Sequence, residues 1–393
     1  MSIDALLGFA AHGLFDLPWW GYIVVGLVFT HITIASVTIF LHRCQAHRGL
    51  DLHAIPSHFF RFWLWLTTGQ ITKVWVAIHR KHHAKCEKEG DPHSPVVFGI
   101  KKVFWEGAEL YRVEAKKPET MERYGTGTPD DWIERNLYDT RSVWGPVLCL
   151  ILYFVAFGAM GITLWAVQMS WIPVTAAGVI NGIGHYFGYR NYDCEDASTN
   201  IVPWGILIGG EELHNNHHAY GSSAKFSSKP FEFDIGWQYI RILSALKLAT
   251  VRKTAPQVVT TPHERIDFDG LQAIITHRYK VGQASLRLLR KSWQRAVRDN
   301  GGNAAALKAS WSTLKRDANE LAAHERERLQ TVLGESAALA KVYALRQELS
   351  TLWSRSNENT DELVARWRQW CERAEGSGIP EMVQFSRELR RYA

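Results

Sequence analysis

The chain has 393 residues, 46% of them hydrophobic and 21% charged, with a net charge of +6. That length suits one large domain or two ordinary ones. Five cysteines (Cys44, Cys86, Cys149, Cys194 and Cys371) without a CxxC pair exclude a zinc ribbon or a disulfide framework and suit a reducing compartment, and the basic excess, lacking any nucleic-acid motif, argues against a nucleic-acid partner.

The mean hydropathy of −0.17 averages an apolar front half with a charged tail. Residues 3 to 17 are too short for a full crossing and suit an interfacial helix or a partial one. Trp19 to Leu41 is 23 residues without Lys, Arg, Asp or Glu, long enough to cross a bilayer. Arg43 and Arg48 follow at once, while residues 1 to 42 hold no Lys or Arg, which places the far end of this span on the cytoplasmic side. No cleavable leader is evident, because no basic residue precedes that span. Phe59 to Ile78 is apolar but interrupted by Arg61 and Lys73, and reads as an interfacial or buried helix. Ser142 to Ser170 and Trp171 to Tyr189 suit a membrane hairpin, with its break expected at Trp171-Ile172-Pro173. The expected fold is therefore all-α, with about three to four transmembrane helices and a cytosolic helical cap. A membrane domain covers residues 1–260 and a charged helical extension covers 261–393. The extension carries amphipathic helices broken at Gly301-Gly302 and Gly376-Ser377-Gly378 and no motif attached to chemistry. It reads as a helical cap or self-association surface, with docking of an electron donor as the alternative.

Three histidine clusters stand out: His42 with His47, His79 with His82 and His83, and His214 with His217 and His218. Positions i, i+3 and i+4 share a helix face, so each triplet can present three imidazoles to one volume and reads as a half-site. His42 and His47 lie about 500° apart on a regular α-helix, so they need a helix end or a local widening. Eight imidazoles exceed one tetrahedral zinc and suit two metals with open positions, although imidazole alone does not choose among iron, zinc, copper and nickel. All clusters can meet only if the chain crosses the membrane an even number of times between them, which the hairpin allows. His31 reads as a packing or hydrogen-bonding residue, and His12, His53, His58, His263, His277 and His324 have no partner at ligand spacing.

HRCQAHR at 42 to 48, HRKHH at 79 to 83 and GEELHNNHH at 210 to 218 resemble the three histidine boxes of membrane fatty acyl desaturases of the stearoyl-CoA desaturase type, most closely bacterial members. The resemblance runs from about residue 20 to 250, and Asp91-Pro92-His93 also fits it. Asn181-Gly-Ile-Gly-His185 is similar to the family's NxxxH element, which implies His185 as a ninth ligand and Asn181 as a residue approaching a metal through water. The resemblance further implies two iron ions (Fe2+/Fe3+), dioxygen as co-substrate, and removal of two hydrogens from adjacent methylenes of an acyl chain, commonly at the ninth and tenth carbons. It also implies an integral protein of a bacterial inner membrane whose active site faces the cytoplasm. Trp63, Trp65, Trp75 and Phe187 are candidates for the acyl tunnel, bilayer-facing packing being the alternative. The Arg-Asp pair that animal acyl-CoA enzymes carry before the second box is here Ala77-Ile78, which weakens a CoA-bound substrate and leaves room for a lipid-bound chain. No cytochrome b5, flavin, nicotinamide or iron-sulfur motif accompanies the boxes, so electrons are expected from a separate ferredoxin, rubredoxin or cytochrome with its reductase. Two other readings remain: an acyl or alkane hydroxylase on the same scaffold, and a histidine-rich membrane metal transporter.

Overall fold

The computed structural model describes residues 2–299, 304–316, 318, 321–353 and 359–393, and the chain falls into two compact units, Met1–Ala255 and Pro256–Ala393.

In the first unit, the short helix α1 (Ile3–His12) precedes α2 (Trp19–Ser36), which runs without interruption into a π-helix, Val37–Ala46. These 28 residues form one apolar helix, longer than the roughly 20 residues needed to cross a hydrocarbon core. β1 (Leu50–Leu52) follows, then α3 (Ala54–Thr68) and α4 (Thr72–Lys85). The segment that reads as one apolar stretch is thus two helices. On α3, Ile55, Phe59 and Phe62 form an exposed apolar stripe, while Arg61 is buried and paired with Asp131 (2.6 Å) and Glu134 (2.7 Å). Two carboxylates around the guanidinium are what make that charge tolerable in apolar surroundings.

Next come α5 (Ile100–Ala115) and α6 (Trp144–Ile172). The hairpin does not turn where the sequence places it. Gly158 has φ 58° and ψ −138°, outside helical values, and the Trp165 indole donates to the carbonyl of Pro146 at 2.9 Å, a contact that a straight helix of that length forbids. The reversal is therefore at Gly158, where a positive φ suits glycine and an added Cβ would lie 2.6 Å from the Ala11 carbonyl carbon. At the expected break, Pro173 instead opens a second π-helix, Pro173–Gly182. There the widened bonding accommodates the missing N–H, and the Thr175 hydroxyl caps the Trp171 carbonyl at 2.7 Å. A single 3₁₀ turn, Ile183–His185, ends this arm.

β2 (Trp204–Gly205), α7 (His214–Ala219), β3 (Phe233–Asp234), α8 (Ile235–Ala245) and β4 (Ala249–Val251) complete the unit. β4 pairs antiparallel with β1, Leu50 opposite Val251, and β2 lies parallel to β3. Trp19–Ala46 is long and apolar enough to cross a membrane, and Trp144–His185 is an equally apolar segment folded back at Gly158. Their exposed Ile23, Val24, Leu27, Ile151, Leu152 and Val155 form the apolar belt that a bilayer would cover.

The second unit is helical, with α9 (Phe268–Thr276), α10 (Arg278–Asp299), α11 (Ala323–Gly334), α12 (Ala337–Ser350), α13 (Thr360–Glu375) and α14 (Pro380–Leu389) as its longer elements. They close over Ile274, Leu289, Leu339, Trp367 and Trp370, all nearly or fully buried. The break at 376–378 separates α13 from α14, and the one at Gly301-Gly302 lies outside the described residues.

Candidate metal centre

The C-terminal end of the first long helix and the end of the arm that follows Gly158 bring His42 and His47 near His185. In the π-helix the His47 amide bonds the His42 carbonyl five residues back (3.0 Å), so residues five apart share a face. That is the widening the spacing requires. Arg43, between them, is fully buried, bonds both carboxylate oxygens of Asp234 (2.9 and 3.0 Å) and also donates to the carbonyls of Gly209 and Ala224. Only glycine fits at 210 beside this pair, because a Cβ there would lie 2.3 Å from the Asp234 carboxylate. Arg43 thereby fixes the first box against the loop leading to the third. Arg80, inside the second box, caps the carbonyls of Gln45 (2.7 Å) and Ala46 (3.0 Å) at the end of the π-helix, and Lys81 bonds Glu114 (2.6 Å).

All nine histidines singled out in the sequence converge, in two groups: His42, His47, His79, His83 and His217 in one, and His82, His185, His214 and His218 in the other. The triplets are not half-sites. Each is split, because i and i+4 lie about 40° apart on a helix while the i+3 residue lies about 60° to the other side. His79 and His83 join the first group and His82 the second; His214 and His218 join the second and His217 the first. α4 and α7 therefore each contribute to both positions.

The geometry fits metal ions. His42 Nδ1 donates to Glu211 (2.7 Å) and His185 Nδ1 donates to Glu87 (3.0 Å), which leaves a bare lone pair on each Nε2. Those nitrogens nevertheless lie 3.0 Å from His217 Nε2 and 2.9 Å from His214 Nε2, and His47 Nε2 lies 2.8 Å from His79 Nε2. Imidazoles about 2.0–2.2 Å from one ion, at right angles to each other, would be about 3 Å apart. Lone pairs this close call for a cation or a proton between them. Burial pushes the His47 imidazole down to about 3, and His79, His83, His214 and His217 well below the usual value. Burial also takes His218 down to about 4 against the opposing pull of Asp196. These rings are neutral at physiological pH, the form that binds metal.

Four carboxylates hold rings of the two groups: Glu211 on His42, Asp91 on His82 (3.0 Å), Glu87 on His185, and Asp196 on His218 (3.0 Å). Burial alone would raise the Asp91 carboxyl, but the charge and hydrogen bond of His82 hold it at about 2. Sequence reasoning gave none of the four a role. Asp91, Glu211 and Glu87 all lie within eight residues of a histidine cluster, the signal that could have found them; Asp196 has no such signal. Asn181 lies one turn before His185 and lines a cavity of about 530 Å³. His42, His79 and His214 also border it, with Ile34, Trp75 and Trp165 among the apolar walls. Trp75 stacks on His79 (4.9 Å between centroids), and Ile78 faces the same space. Of the other aromatic candidates, Trp63 bonds Thr33, Trp65 bonds the Arg141 carbonyl, and Phe187 is exposed; none borders the cavity. His31 bonds the Tyr239 hydroxyl (2.6 Å), His12 bonds Asp16, and His53 caps α3.

Residues 17–241 match the family model described as fatty acid desaturase, and residues 277–393 match one described as transposase. Among curated relatives, a chloroplastic protein of Arabidopsis thaliana named "probable lipid desaturase" is 29% identical over 64% of this chain and 66% of its own length. Delta-9 acyl-lipid desaturase 1 of the same plant is 28% identical over 60% and 76%. The sn-1 stearoyl-lipid 9-desaturase of Synechocystis is 29% identical over 59% and 73%. The matched stretch thus spans just under two thirds of the first relative and about three quarters of the others.

Proposed function

The chain belongs to the fatty acid desaturase family, whose members are oxidoreductases, and from that premise we propose that it introduces a double bond, at the ninth carbon, into an acyl chain carried on a membrane lipid. The observation that carries the reading is the convergence of nine imidazoles in groups of five and four at one side of a largely apolar cavity. A volume of about 530 Å³ lies in the range of small-molecule sites. Two iron ions held by His42, His47, His79, His83 and His217, and by His82, His185, His214 and His218, would supply the dioxygen-derived oxidant that unactivated C–H bonds require. In balance, two hydrogens leave adjacent methylenes and, with two electrons and two protons from outside, reduce one O2 to two waters.

The chain's own residues bind, orient and shield. Ile34, Trp75 and Trp165 line a space where an acyl chain displaces water, and a fixed acyl chain presents one methylene pair rather than many to the histidines. Trp75 and Phe226 lie against histidine rings, Phe226 at 4.7 Å from His217 and 5.5 Å from His42, and restrict their rotation. Asn181, which borders the same cavity as His42, His79 and His214, is the residue that would hold a water there. Ala77-Ile78 offers no charged pair for a CoA headgroup, which supports a lipid-bound substrate, as the names of the acyl-lipid relatives do. The apolar belt supports an integral membrane protein, and the absence of Lys and Arg from residues 1 to 42, with Arg43 and Arg48 following, supports a site facing the cytoplasm. Electrons come from a separate donor protein.

Lipid profiling of a host expressing wild type or His82→Ala tests the reading. New unsaturated chains are expected with wild type alone, with about two irons per purified chain. Hydroxylated lipids without new unsaturation would overturn it.

A further inference from the structure

The carboxylates are distributed unevenly. Among the described residues, Glu87, Asp91 and Asp196 each accept from the Nδ1 of a member of the four-histidine group, whereas Glu211 alone does so for the five-histidine group. All four are mostly or fully shielded from solvent, so their charges are weakly screened. The three are also braced by backbone amides, one of them across loops. Asp91 accepts the Glu87 amide (2.7 Å), Glu87 accepts the Ala197 amide (2.8 Å), and Asp196 accepts the Ser198 amide (3.0 Å). Glu87 adopts φ 60°, a left-handed conformation that few non-glycine residues take, and in it the carboxylate reaches both His185 and the 197 amide.

We propose that the two metal positions differ in grip: the four-histidine position holds its ion more tightly, with Glu87, Asp91 and Asp196 as its positioning residues, and Glu211 acts in that way on the five-histidine position alone. A fifth neutral imidazole adds a ligand but no charge. Three carboxylates fix three ring orientations, raise the basicity of three donors and place three negative charges near one dication. Each such partner is typically worth about 10- to 100-fold in metal affinity, so a surplus of two outweighs one extra ring. This inference rests on the two-iron reading above.

The test is graded removal of Fe(II) from the full-length protein in detergent by a competing chelator, counting ions per chain. Two separate steps are expected. Asp91→Asn, Asp196→Asn or Glu87→Gln should move the tight step about 10- to 100-fold toward the weak one, and Glu211→Gln should move the weak step alone. A measurement without variants guards against misfolding: wild-type apoprotein given half-saturating iron-57 should show one Mössbauer doublet, with a second appearing on full loading. A two-iron protein that loses both ions in one step, or that fills both positions equally at half loading, overturns this inference and leaves the two-iron reading standing. A wild-type protein that binds fewer than two irons overturns both.

Discussion

The two units of this chain solve the problem of a stable interior in opposite ways. The second closes over leucine, isoleucine and tryptophan, and its ion pairs lie at least partly in solvent, as Arg373–Glu348 does with both side chains about half exposed. The first also has exposed pairs, such as Arg252–Asp51, but it buries several others. Arg43 and Asp234 are wholly removed from water, as are most of Arg61, Glu134, Lys81 and Glu114. Desolvated ions are poor sources of net stability, but they are intolerant of a lost partner and so fix a geometry firmly. The difference marks where position matters more than stability: Arg43–Asp234 and Lys81–Glu114 tie down the two helices that bear His42, His79, His82 and His83.

The sharpest way to break this comparison is acid. His47 and His218 are held at about 3 and about 4, below the roughly 6.5 of an unfolded chain. Between those values the unfolded state binds more protons than the folded one. Stability is therefore complete above about pH 6.5 and lost as the pH falls toward about 4, and the other buried imidazoles add in the same sense. Thermal unfolding of the metal-free protein, mapped by proteolysis and mass spectrometry, should show the first unit failing between pH 7 and 4 while the second survives. Equal sensitivity of both units would refute the contrast.

Arg43→Met should follow in size, at about 3–5 kcal/mol, because Asp234 is left charged and buried without its partner. Hydrogen exchange should rise across the first unit only. Leu289→Ala, fully buried in α10, should cost about 2–5 kcal/mol through the cavity it leaves. It should open the second unit with no change in metal content, and loss of metal in this variant would mean that the two units are coupled more closely than their interiors imply.

The sequence by itself determined what depends on neighbours along the chain. The candidate histidines followed from three repeated clusters, the need for a widened helix from the five-residue spacing of His42 and His47, and the apolar segments from runs free of charge, because each is a matter of helical periodicity or transfer from water. His185 and Asn181 needed a family resemblance, since one histidine near a helix end carries no signal alone. Only the tertiary structure decided how the triplets divide, because which side of α4 or α7 meets which neighbour depends on helices far away in sequence. It also set the hairpin turn at Gly158 rather than near Pro173: proline marks a break only where bonding cannot adapt, and a π-helix adapts. The carboxylates were the least legible of all, for Glu87 reaches His185 across 98 positions of chain and through a backbone conformation that nothing local favours.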